Sequence, residues 1–159
     1  MGNEKQVAAT VERIRELRVL CEKYGLSGRE AAERYTDEEL SGKIYNGAGP
    51  DSWLPVARDL LTKVMVLFEP VVLIHDVQFH ESDGTHEGFD TAVNDWKTNT
   101  ARILAAEYPR WTWRQLSASY RMARAKWLAV AAVANAAIAG KSAFRAWREA
   151  YLAREGTDE

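Results

Sequence analysis

The sequence predicts an all-α protein, and three observations predict it. Apolar residues recur at three- and four-residue steps along most of the chain, no alternating strand pattern of useful length appears, and the periodic stretches are separated by helix starts and stops. A chain of 159 residues with 47% hydrophobic and 28% charged residues has the composition of one ordinary globular domain, so 1–159 is read as a single unit without internal repeats.

Val7, Val11, Ile14, Leu17, Cys21 and Tyr24 place one apolar stripe on a first helix, which Gly25 stops. Ser27 is positioned to cap a short helix ending at Tyr35, and Thr36-Asp37-Glu38-Glu39 is a capping box that starts another. Ser27 to Leu40 has the outline of a helix-turn-helix. A recognition helix needs exposed Arg, Lys, Asn or Gln to meet bases and phosphates, however, and Thr36 to Leu40 is acidic; two packing helices is the better reading.

Residues 44–108 form the central region. Tyr45-Asn46-Gly47-Ala48-Gly49-Pro50 is a glycine-rich turn, and the run from Trp53 to Phe68 is apolar over more than half of a helical circumference, as in a well-buried helix. Pro70 suits the first turn of the next helix, which carries Val72, His75, Asp76 and Phe79. His75 shares a face with Val72 and Phe79, while Asp76 is rotated by about 100° from it. The polar string His80 to Gly88 reverses the chain. Phe89, Val93, Trp96, Thr100, Ile103 and Leu104 then define a helix that Tyr108-Pro109 ends, and antiparallel packing would let Asp95 face His75.

In residues 109–155, Thr112 is expected to cap a long helix carrying Trp113, Leu116, Tyr120, Trp127 and Val130. Its apolar part, Leu128 to Ala139, is shorter than the about 20 residues that a bilayer requires. Gly140 breaks it, and Ser142 is expected to cap a last helix with Phe144, Trp147 and Tyr151 on one face, completing a C-terminal helical hairpin. Pro109 to Glu155 holds nine Lys/Arg against two Asp/Glu, whereas the first 108 residues hold twelve against nineteen. The net charge of -2 thus conceals an acidic body and a basic C-terminal third. Cys21 is the only cysteine, so no intramolecular disulfide forms. The polar start lacks a signal-peptide core, which leads to an expectation of synthesis in a cytoplasm, with delivery elsewhere as part of a virion or as an effector.

Two glycines one residue apart let several carbonyls point at one centre, and a hard cation such as calcium, with Asp76 as its carboxylate, suits such a centre. His75, His80 and His86 also raise zinc, but His75 and His80 are five residues apart and lie on different faces of a helix. The order Tyr45-x-Gly47-x-Gly49, then His75-Asp76-x-x-Phe79, then Asp95, resembles the calcium loop, catalytic helix and following helix of phospholipase A2. The cysteine-free loop looks most like that of the parvovirus-capsid type of this domain.

The resemblance implies a phospholipase A2-like core of two antiparallel helices with a calcium loop, flanked by the N-terminal helices (1–43) and the C-terminal hairpin. It implies His75 as the base that activates water, Asp95 as its orienting carboxylate, and Ca2+ held by Asp76 and the carbonyls of Tyr45, Gly47 and Gly49. The Gly47 N–H would be an oxyanion donor, and the substrate a glycerophospholipid cut at its sn-2 ester.

Phe79 stands where the family usually has a tyrosine, and the Trp53 to Phe68 stretch lengthens the gap between Gly49 and His75. A catalytically inactive relative that binds a partner on the same fold is therefore a second expectation. The expected partner is a phospholipid membrane surface, met by the basic C-terminal helices with Trp111, Trp113, Trp127 and Trp147 at the interface. The same charges would serve a helical nucleic-acid-binding module, exposed tryptophans would favour a homo-oligomer, and a plain structural reading makes the tryptophans core and the arginines a solvated face.

Overall fold

Helix α1 (Gly2–Lys23) runs along an irregular acidic segment made of α2 (Arg29–Glu33), α3 (Asp37–Glu39) and a single π-turn (Leu40–Ile44). A 3-10 turn (Val66–Phe68) leads into α4 (Glu69–His80), followed by α5 (His86–Glu107), a second 3-10 turn (Trp113–Leu116), α6 (Ala118–Ile138) and α7 (Lys141–Glu155). The structure is a computed structural model; it describes residues 2–45 and 65–156, with side chains from Thr10 onward. Among the described residues there is no strand, so the all-α class holds. Most of the stretch from Trp53 to Phe68, expected to be a buried helix, lies outside the described residues, and its end at Val66–Phe68 is a 3-10 turn.

The central element is α4. Pro70 sits in its first turn, where the missing N–H costs nothing, and Pro70, Val71, Val72, Leu73, Ile74 and Val77 are all buried. A helix apolar nearly all round must be covered on every side. Ile14, Leu17 and Cys21 of α1 cover it, with Leu26 from the turn after α1, Leu40 and Ile44 from the π-turn, Trp96 and Ile103 from α5, and Trp127, Ala131 and Ala134 from α6. A smaller cluster of Phe89, Ala92, Val93 and Trp147 forms beneath α7, against Phe79 and Phe144. Burial raises the Cys21 thiol to about 12, so it stays protonated as a small apolar filler, directed at the Pro70 carbonyl 3.4 Å away.

Several starts differ from the sequence expectation. The Thr36 capping box forms as expected. Ser27 does not cap α2: Gly28, at φ 81°, precedes it, and a Cβ there would come within 2.9 Å of the Gln78 side chain. Ser27 is held instead by Asn99 on α5, whose Oδ1 accepts from the Ser27 N–H (2.8 Å) and whose Nδ2 donates to the Ser27 carbonyl (2.9 Å). Thr112 caps only the second 3-10 turn; the long helix begins at Ala118 with Ser117 as its cap. The last helix begins at Lys141 with Gly140 in the cap position, so Ser142 lies inside its first turn and does not cap it.

The expected C-terminal hairpin is an elbow. The axes of α6 and α7 differ by 57° across the break at Ala139 and Gly140, and the packing of Phe144 and Trp147 holds α7 in that direction. Consequently α7 lies against α4 and α5. Trp147 meets Phe79 (ring centroids 5.2 Å) and Phe89 (6.0 Å), and the buried Ser82 hydroxyl donates to the Trp147 carbonyl at 2.7 Å.

Candidate functional site

His75 is on α4, where the two apolar clusters meet. Its ring is packed 4.7 Å from Phe79 and 5.0 Å from Trp96, centroid to centroid. Nothing charged compensates for this environment, so burial alone lowers its pKa to about 4, and the imidazole is neutral around pH 7. Nδ1 of His75 and Nε1 of Trp96 are both buried without a hydrogen-bond partner. Orphaned polar atoms of this kind are uncommon in folded proteins.

The facing helix α5 brings Asp95 and Trp96 beside α4. It is Trp96 that meets the imidazole; the Asp95 carboxylate accepts a hydrogen bond from Gln78 Nε2 at 2.8 Å. The expected hydrogen bond between Asp95 and His75 is not formed in this arrangement. Gln78 is three residues beyond His75, nearly one helical turn along α4, and captures the carboxylate.

Asp76 lies near the end of the acidic segment. Its charge acts on Tyr45, whose phenol is pushed up first by burial, then by Glu69 and Asp76. Tyr45 donates to Glu69 Oε1 at 2.9 Å, and both carboxylate oxygens of Glu69 accept from Arg13, whose guanidinium is thereby held charged. These contacts are made by the Tyr45 phenol, whereas the expected calcium ligand is its carbonyl, and the carboxylate beside that phenol is already neutralised by Arg13; it belongs to Glu69, which the sequence did not single out. Its signal was Glu69-Pro70 at a helix start, which reads as an ordinary acidic first turn. Gly47 and Gly49 lie outside the described residues, and among the described residues no three His, Cys, Asp or Glu side chains converge. The described residues therefore assemble no calcium site of their own.

The C-terminal third presents a different surface. Trp111 (87% exposed), Trp113 (79%) and Leu116 (85%) stand in water, whereas Trp96, Trp127 and Trp147 are buried. The tryptophans expected together at an interface are therefore divided. Along α6, Met122, Ala125, Ala129, Ala132, Val133 and Ala136 are exposed at three- and four-residue steps and share one face. The ion pairs among the described residues run from Glu12 to Glu107 and include Arg13, Arg15, Arg18, Lys23, Arg29 and Arg34. Arg110, Arg114, Arg121, Arg124 and Lys126 form none. No single helix among the described residues is long and apolar enough to cross a membrane. Comparison with protein-family models, curated proteins and solved structures finds no match to this chain.

Proposed function

We propose that the protein binds peripherally to an anionic phospholipid surface through residues 110–136. The observation that carries the reading is the exposure of Trp111, Trp113 and Leu116 next to arginines that form no ion pair among the described residues, continuous with the apolar outer face of α6. Water solvates such a face poorly. A bilayer interface accepts apolar side chains and the amphipathic tryptophan rings, while lipid phosphates neutralise the flanking cations.

Co-sedimentation with phosphatidylcholine vesicles containing phosphatidylglycerol tests the reading. The native chain pellets with the vesicles, and Trp111→Ala/Trp113→Ala weakens binding by about tenfold or more while leaving helicity intact. Unchanged binding by the double variant would remove these side chains from the contact.

A second reading, calcium-dependent phospholipase A2-like hydrolysis, is favoured by the neutral imidazole and bare Nδ1 of His75. A neutral ring nitrogen can accept a proton from water at physiological pH, and the low pKa makes it a weak base unless Asp95 leaves Gln78 and pairs with it. Calcium held by Asp76 and the carbonyls of Tyr45, Gly47 and Gly49 would polarise the ester carbonyl, and the Gly47 N–H would add a donor. The test is fatty-acid release from the same vesicles, with millimolar calcium or with chelator. Hydrolysis requires calcium-dependent release that His75→Ala abolishes; no release by the native chain leaves the protein as a binding module.

A further inference from the structure

Arg110, Trp111, Thr112, Gln115 and Arg124 line an open cleft of about 430 Å3 at the turn between α5 and α6. Its walls are held from within. Gln115 Nε2 donates to the carbonyls of Arg110 (3.1 Å) and Pro109 (3.4 Å), the Tyr120 hydroxyl donates to Pro109 O (2.9 Å), and Arg124 Nε donates to Tyr108 O (3.3 Å). Tyr108 is itself fixed by the Trp127 indole N–H at 3.1 Å. These bonds satisfy the turn's carbonyls and set the position of Arg124, whose terminal nitrogens have no partner among the described residues. The Arg110 guanidinium lies 5.4 Å from the Trp111 ring. Two guanidinium groups, a threonine hydroxyl and no carboxylate therefore line one concavity, which is the donor set for a phosphate group.

We propose that this cleft takes the phosphate of an anionic phospholipid headgroup. The proposal deepens the membrane-surface reading and rests on it. Trp111 lines the cleft, and Trp113 and Leu116 stand exposed beside it, so a lipid whose phosphate occupies the cleft has acyl chains beside apolar side chains. Nucleic acid would offer the same phosphate but nothing to cover Leu116 and the α6 face.

The experiment compares the native chain, Arg110→Gln/Arg124→Gln and Arg145→Gln/Arg148→Gln, the last losing the same charge from exposed positions on α7. Binding to phosphatidylcholine vesicles with phosphatidylglycerol is read by co-sedimentation. Intrinsic tryptophan fluorescence is titrated with glycerol 1-phosphate and with inorganic phosphate, and a single-stranded oligonucleotide is titrated separately. The cleft variant is expected to lose vesicle binding by about tenfold or more and the α7 variant by less than about threefold, because bidentate hydrogen bonds are lost in one and only diffuse attraction in the other.

Equal losses in the two variants would overturn the cleft while leaving the surface reading standing. Should the native chain bind no vesicles, the surface reading fails. A saturable fluorescence change with inorganic phosphate that the cleft variant loses would then reassign the cleft to free phosphate, and no change would overturn the site altogether. Tighter binding to the oligonucleotide than to vesicles, abolished by the same variant, would overturn the lipid assignment. Arg110→Gln alone is included because Arg124 also holds the Tyr108 carbonyl, whereas the Arg110 side chain holds no backbone group among the described residues; it should retain native helicity and lose part of the binding.

Discussion

His75 shows how one residue's surroundings set its chemistry. Its ordinary pKa is 6.5, and burial between Phe79 and Trp96 lowers it to about 4. Between those values the unfolded chain binds a proton that the folded chain refuses, so stability falls as pH drops through the window and is unaffected above it. The loss reaches about 3 kcal/mol by the bottom of the window, at roughly 1.4 kcal/mol per pKa unit. Urea unfolding of the native chain and of His75→Phe at pH 7 and pH 4.5 measures it: the native chain should lose about 2 kcal/mol more than the variant over this interval. Equal losses would mean that the imidazole is solvated. The sequence placed His75 correctly on the core side of its helix, because helical periodicity fixes faces. It did not reveal that Trp96 rather than Asp95 would meet the ring, since that depends on how Gln78 competes for the carboxylate.

At the scale of elements, local signals were legible and long-range ones were not. The Thr36 capping box acts over three residues and could be read directly. The role of Ser27 could not, because its partner Asn99 is 72 residues away. That clamp joins the turn after α1 to α5, and Asn99 is fully buried. Asn99→Ala should therefore cost roughly 2 to 4 kcal/mol in chemical unfolding, since it strands both polar backbone groups of Ser27; a cost below about 1 kcal/mol would mean that water replaces the side chain freely. The elbow between α6 and α7 was hidden for a related reason. Gly140 announced a break, but the direction of α7 is set by Trp147 and Phe144 packing on Phe79, Phe89 and His86. The tryptophans make the same point: composition groups Trp111 with Trp147, and only tertiary packing separates the exposed ring from the buried one.

Across the whole molecule, the charge division visible in the sequence acquires a geometry. The cations of the N-terminal two-thirds that form ion pairs do so with the carboxylates of that same part, while Arg110, Arg114, Arg121, Arg124 and Lys126 form no ion pair among the described residues and border an exposed apolar face. Unpaired cations bordering an apolar face describe a surface shaped for an anionic, apolar-backed partner, which is the central claim. The most direct measurement is flotation of the full chain with phosphatidylcholine vesicles, with and without one-third phosphatidylglycerol, at about 50 mM and about 500 mM salt, where the screening length shrinks from more than 10 Å to below 5 Å. The account predicts that the chain floats with the anionic vesicles at low salt, is largely released at high salt, and stays behind with neutral vesicles. Failure to float with either, or equal flotation with both at both salt concentrations, would contradict it.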